Sequence, residues 1–194
     1  MKTLCLIPVY NEDTKLIELI NQIKRNKAKI KNVDYLFINN GSTDKSLYLI
    51  KKNKFKFINI KKNRGVGYAL IIGYLNAVKN NYHSVIHLAG NGKMNPKYIS
   101  KILKYLYVLK YDFVAGSRFL RGSEHKNNPL YRIVLIKIFS LFLKILFNYN
   151  ITDATCGYRG FKVGIFKNYK KTFFKKELFT YGYEYYSYGK ILKN

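Results

Sequence analysis

Apolar positions along this chain follow two alternating periods. Short apolar runs at 3–9, 33–38, 55–60, 84–88 and 112–115 predict strands, each closed by a turn of small and polar residues. Between them, Leu16, Ile17, Leu19, Ile20 and Ile23 recur at helical spacing and predict a helix from Asp13 to about Asn26. Leu70, Ile71, Tyr74, Leu75 and Val78 repeat the pattern after Gly67, as do Ile99, Ile102, Leu103, Leu106 and Leu109 after Pro96. A further helix runs to about Lys52, with Ser42 or Thr43 as N-cap and Asp44 in its first turn. Strand and helix alternate at roughly 25–30 residues per unit, which predicts βαβ units around a parallel sheet. Right-handed crossovers then put all these strand-end turns on one rim, where open α/β sheets hold their ligands.

The last third reads differently. From Pro129 to Asn148 the chain is strongly apolar, with Lys137, Ser140, Lys144 and Asn148 at three- and four-residue steps. This predicts a helix with a narrow polar stripe and a wide apolar face. It fits a core helix whose stripe touches water, and equally a helix lying on a membrane with Arg132, Lys137 and Lys144 near anionic headgroups. A polar turn, Asp153 to Gly157, leads into a short strand near Phe161, and the Tyr-rich stretch 181–193 reads as helical.

Composition narrows the picture only slightly. With 194 residues, the chain has the length of one domain with a full core, and 48% hydrophobic content excludes wholesale disorder. The net charge of +26 is compatible with a polyanionic partner, but the lysines are spread rather than clustered. Two cysteines, Cys5 and Cys156, form neither a disulfide framework nor a metal spacing, so a reducing cytosol is expected. The amino-terminal apolar stretch is too short for a signal peptide, and no run of about 18 apolar residues predicts a membrane span.

Five motifs carry the chemistry: Ile7-Pro8-Val9-Tyr10-Asn11-Glu12, Asn40-Gly41-Ser42-Thr43-Asp44, Asn63-Arg64-Gly65-Val66-Gly67, Gly116-Ser117-Arg118 and Asp153-Ala154-Thr155-Cys156-Gly157-Tyr158-Arg159. Each is weak alone, but their shared order and spacing are specific. Together they resemble the family-2 glycosyltransferases, within them the dolichol-phosphate-mannose-synthase-like branch. The resemblance implies a single GT-A domain over residues 1–194, an α/β fold with a mostly parallel sheet and helices on both faces. Relatives usually continue further, so the chain is expected to be truncated at its C-terminus. It also implies inverting transfer of a sugar from a nucleoside diphosphate, UDP or GDP, to a polyprenyl phosphate or lipid-linked cell-envelope glycan. The expected location is cytoplasmic, peripheral at the inner face of the membrane.

By the same resemblance, Pro8, Tyr10, Glu12, Asn39, Asn40, Gly65, Gly67, Ala89, Gly90 and Asn91 would bind the donor. Asn39 and Asn40 stand where the family usually has two aspartates. Arg121, Arg132 and Arg159 would bind acceptor phosphate, arginine being suited to bidentate contact. Asp153 is the one acid inside a motif on the acceptor side, and so the candidate for general base or acceptor positioning.

The stretch Ala89-Gly90-Asn91-Gly92-Lys93 departs from the family pattern, Asp-x-Asp-Gly-Gln, whose carboxylates hold a divalent cation. Magnesium and manganese prefer anionic oxygen ligands, and Asn91 is the sole oxygen side chain offered here. Any such ion is expected to be weakly held or absent, with Lys93, Arg118 and Arg159 neutralising the diphosphate. The alternative is a catalytically inactive homologue that binds nucleotide or lipid phosphate. A nucleic-acid-binding role is the weakest reading, because the aromatics do not form an exposed run interleaved with arginine. None of His83, His87 and His125 has metal-ligand spacing; His87 reads as strand packing.

Overall fold

The computed structural model describes residues 1–123, 129–148 and 152–168. In chain order the elements are β1 (Thr3–Val9), α1 (Asp13–Lys27), β2 (Val33–Asn40), α2 (Ser46–Lys52), β3 (Lys56–Ile60), α3 (Val66–Lys79) and β4 (Ser84–His87). Then follow α4 (Ile99–Leu103), β5 (Phe113–Ala115), α5 (Leu130–Phe147), β6 (Arg159–Lys162) and α6 (Val163–Asn168). A 3₁₀ turn at Pro96–Tyr98 leads into α4, and a π turn at Lys104–Val108 follows it.

The strands form one sheet in the order β3-β2-β1-β4-β6-β5. β1 pairs in parallel with β2 and β4, and β2 with β3. β6 is antiparallel to both neighbours, with Ile86 opposite Gly160 and Ala115 opposite Arg159. The mostly parallel α/β sheet therefore matches the sequence expectation, whereas the insertion of β6 between β4 and β5 is a feature of the tertiary structure.

Alternation along β1 sorts the core into two layers. Leu4 and Leu6 face a cluster with Leu70, Ile71 and Tyr74 of α3. Cys5 and Ile7 face the opposite cluster, with Leu16, Leu19, Ile20 and Ile23 of α1 and Ile99 and Ile102 of α4. Both faces of the sheet are covered, which is why its central strands read as continuous apolar runs. His87 packs among Tyr74 and Phe161, and burial, with Arg159 nearby, pushes it down to about 3, so it stays neutral.

Two expectations about helices are corrected. α2 begins at Ser46, later than a Ser42 or Thr43 cap would place it. Lys45 takes the N-cap position, Asp44 precedes it with Oδ1 accepting the Ser46 N–H at 2.9 Å, and Ser42 and Thr43 bond Asn11 instead. In α5 the buried stripe is Ile136, Ser140 and Leu143, so Ser140 of the expected polar stripe turns inward. Its Oγ accepts the Ala154 N–H at 3.0 Å. Nine large apolar side chains from Leu130 to Leu146 are exposed, a wider exposed face than a core helix with only its polar stripe in water would show. The expected helix at 181–193 and His125 lie outside the described residues.

Candidate functional site

β1 connects onward to β2 and β3 on one side, while β4 lies on its other side. The strand order therefore reverses between β1 and β4, and open α/β sheets form a ligand crevice outside the carboxyl ends at such a point. The turns after β1, β2 and β4 reach this rim. Because β6 runs antiparallel, the turn preceding it joins them, together with the turn after β5.

The turns after β1 and β2 are tied to each other. Asn11 has φ of 50°, a left-handed conformation that asparagine tolerates better than most residues. Its Oδ1 accepts the Thr43 N–H at 2.9 Å, and its own N–H donates to Ser42 Oγ at 3.2 Å. Glu12 N–H donates to Ser46 Oγ and Asp13 N–H to Asp44 Oδ2, both at 3.0 Å. Asp44 thus serves the first turns of α1 and α2 together. Burial would raise its carboxyl, but the bonds from Ser46 and Asp13 outweigh this and hold it below the ordinary range. Pro8 is half-buried and Tyr10 exposed, while Glu12 pairs with Lys15 at 3.3 Å.

The asparagines at the end of β2 are buried. Asn40 Nδ2 donates to Asn63 Oδ1 at 2.9 Å and to the Gly65 carbonyl at 3.1 Å, and its Oδ1 accepts the Arg64 N–H at 3.2 Å. Its amide holds the 63–65 turn in place and is not turned outward to a ligand. Asn39 Nδ2 donates to Asn59 Oδ1 at 2.7 Å, and its own Oδ1 is buried without a partner. Both side chains support the rim, Asn40 through three hydrogen bonds and Asn39 through one. Gly65 has φ of 87° at the start of α3, and Gly67 is buried in its first turn.

The turn after β4 is clamped to β1 and α1. A Cβ on Gly90 would come within 2.9 Å of the Pro8 carbonyl oxygen and Val9 Cγ2, so only glycine fits without a shift. Gly92, with φ of 70°, lies against the Lys15 carbonyl. Asn91 Oδ1 accepts the Lys93 N–H at 3.2 Å, closing a local turn. Ala89 contributes only a methyl group. Lys93 is exposed, and among the described residues no carboxylate pairs with it.

On the β5–β6 side, Arg118 and Asp153 form a closed clamp. Arg118 Nε donates to Asp153 Oδ2 at 2.7 Å and Nη2 to Oδ1 at 2.9 Å, and the Arg118 backbone N–H also reaches Oδ2 at 3.0 Å. Thr155 N–H and Oγ1 add bonds to Oδ1, each at 3.2 Å. Burial would raise the Asp153 carboxyl, but Arg118 outweighs it and holds the group below the ordinary range. A carboxylate with 0% side-chain exposure and this many donors is a poor proton acceptor. Of the two roles expected for Asp153, this geometry disfavours the general base and is compatible with positioning, with Arg118 as its bidentate partner.

Arg159 is also buried, its Nε donating to the Cys156 carbonyl at 2.9 Å and Nη2 to the Ala154 carbonyl at 3.2 Å. It braces the 153–158 turn from within, an arrangement that favours a structural role over the expected contact with acceptor phosphate. Tyr158 Oη donates to the Asn95 carbonyl at 3.0 Å, joining this turn to the one after β4. Arg121 and Arg132 are exposed. Sequence reasoning missed Asn11, Asn63, Ser46 and Thr155 as organisers of the rim. Asparagine, serine and threonine in strand-end turns were the available signal.

The sequence matches the family described as "Glycosyl transferase family 2" over residues 5–170. It is 25% identical over 167 residues to the polyprenol monophosphomannose synthase of Mycolicibacterium smegmatis, covering 83% of this chain and 62% of that protein. The chain thus spans less than two thirds of that relative's length. Its fold resembles Staphylococcus aureus TarS 1-349 in complex with UDP, with a TM-score of 0.69, 14% identity, and coverage of 98% of this chain and 55% of TarS 1-349. It also resembles glucosyl-3-phosphoglycerate synthase from Mycobacterium tuberculosis, crystallised with Mn2+, UDP and glucosyl-3-phosphoglycerate. There the TM-score is 0.63 at 14% identity, over 84% of this chain and 57% of the synthase.

Proposed function

The chain belongs to glycosyl transferase family 2, and on that premise we propose that it moves a sugar from a UDP- or GDP-sugar to a polyprenyl phosphate at a membrane surface. The observation that carries the acceptor half is α5. Its exposed apolar side chains are accompanied by exposed Arg132, Lys137 and Lys144, the pattern of a helix lying in an anionic lipid interface. Ser140 couples the opposite stripe of that helix to Ala154, next to the Arg118–Asp153 clamp. A lipid held by α5 therefore brings its phosphate toward the rim. The relative that acts in polyprenol monophosphomannose synthesis supports the same acceptor class.

In this reading Tyr10, Glu12, Gly65, Gly67, Ala89, Gly90 and Asn91 line the donor side, with Pro8, Asn39 and Asn40 fixing its floor. An acceptor phosphate oxygen attacks the anomeric carbon as the bond to the diphosphate breaks. The electron pair of that bond leaves on the nucleoside diphosphate, and the configuration inverts. The attacking oxygen is already anionic, so no proton has to be removed. The saturated state of Asp153 is compatible with this chemistry, whereas an alcohol acceptor would need a free base.

The test is incubation of the purified chain with UDP- and GDP-sugars and polyprenyl phosphate in anionic liposomes. Formation of a glycosyl phospholipid is expected from one donor class. Absence of product from every pairing would overturn transfer. Nucleotide binding without turnover would favour a second reading, a binding module, which the loss of both carboxylates after β4 supports. Leu135→Glu with Ile138→Glu is expected to abolish liposome co-sedimentation, since both side chains are exposed and their loss leaves the fold intact.

A further inference from the structure

The fold neighbour crystallised with Mn2+ and UDP makes a divalent cation the natural expectation for the crevice between β1 and β4. The residues here do not fit one. Ala89 and Gly90 offer no oxygen, and Asn91 spends its Oδ1 on the Lys93 N–H at 3.2 Å. The carboxylates of the turns after β1 and β2 have partners of their own: Glu12 pairs with Lys15, Asp13 accepts the Thr14 N–H, and Asp44 accepts two backbone N–H groups. Asp153 is locked by Arg118. Among the described residues no group of three His, Cys, Asp or Glu side chains stands close enough to hold a metal. Magnesium and manganese sites are built from carboxylate and other hard oxygen ligands, and a single neutral amide does not make one.

What stands at this position is a cation. Gly90 seats the turn on the Pro8 carbonyl, and Gly92 seats it on the first turns of α1. Lys93 follows directly on a turn pinned at both glycines, exposed and without an ion-pair partner among the described residues. The other two cations expected at the diphosphate are occupied, Arg118 by Asp153 and Arg159 by backbone carbonyls. We infer that the rim between β1 and β4 binds a nucleoside diphosphate without a divalent cation, with the Lys93 ammonium as its principal counter-charge. This rests on the proposed donor site and specifies how that site manages charge. An ammonium offers three donors to phosphate oxygens, and it supplies positive charge where a bound metal would otherwise stand.

Calorimetric titration of the intact chain with UDP, GDP, uridine and guanosine, each in EDTA and in Mn2+, tests the inference. The nucleoside diphosphate that binds is expected to do so with affinities within about twofold in the two buffers. Lys93→Ala is expected to weaken that diphosphate about tenfold and leave its nucleoside unchanged, with Lys93→Arg restoring most of the loss. The Mn2+ electron paramagnetic resonance signal should remain that of the free ion when protein is added. Introducing Ala89→Asp with Asn91→Asp should create a Mn2+ requirement. A tenfold or greater tightening of diphosphate binding by Mn2+ in the unaltered chain overturns the inference and leaves the donor site standing. Unchanged diphosphate affinity in Lys93→Ala does the same. If neither diphosphate binds in either buffer, the donor-site reading falls and the inference with it.

Discussion

The two sides of the rim carry similar cations in opposite states. At the β5–β6 side, Arg118 meets a carboxylate of 0% exposure and is held by it at two nitrogens. At the β1–β4 side, Lys93 projects from a rigid turn with no acid beside it among the described residues. Both follow a strand, and both would serve a phosphate on paper. The difference is that the first charge is already neutralised by the fold, so it contributes order, whereas the second is available to a ligand. Position on a rim nominates a residue, and its existing partners decide what it does.

Breaking the clamp should have the largest effect. Asp153→Ala strands Arg118, which is mostly buried, and is expected to destabilise the fold by about 3 kcal/mol in urea unfolding. An unchanged midpoint would show that the clamp is not structural. The same group gives a pH test. Its folded carboxyl lies below its unfolded value, so its stabilisation is complete above the unfolded value near pH 4 and is lost as pH falls through the folded one. The stability difference between parent and Asp153→Ala should therefore hold from neutral pH down to about 5 and narrow at more acid pH.

Smaller effects are expected on the other side. Gly90→Ala forces a methyl group against the Pro8 carbonyl at 2.9 Å, which should cost about 1–3 kcal/mol and displace the Lys93 turn. Diphosphate binding should fall along with stability. Asp44→Ala removes bonds to two helix starts and should cost about 1–2 kcal/mol, read by thermal unfolding. Lys93→Ala should leave the thermal midpoint unmoved while weakening diphosphate binding. A drop in its midpoint would make the two sides alike and remove the contrast.

Most of the scaffold was legible in the residues. Apolar runs that stop at Asn-Gly, Gly-Ser or Ala-Gly turns mark strands, and Leu16, Ile20 and Ile23 mark a buried helix face, because both signals depend on neighbours within about two helical turns. The site was legible as a set of turns, but less so as chemistry. Asn40 reads as a donor ligand until its partners, 23 and more residues away, are seen to take both of its amide N–H groups and one bond to its oxygen. Ser140 reads as part of a solvent stripe until the Ala154 N–H is found against it.

The sequence by itself determined the alternation of strand and helix, the turns that end each strand, and a turn after β4 that carries Asn91 and Lys93 but no carboxylate. These are local properties of backbone preference and side-chain chemistry. Only the tertiary structure decided that β6 enters between β4 and β5, bringing the Asp153 turn to the rim beside Arg118. It alone decided that α5 turns Ile136 and Leu143 inward while leaving its wider apolar face outward. Pairings across 35 residues, such as Arg118 with Asp153, leave no periodic trace in the chain. They are fixed by which surfaces close on each other, and so decide whether a charge braces the fold or meets a ligand.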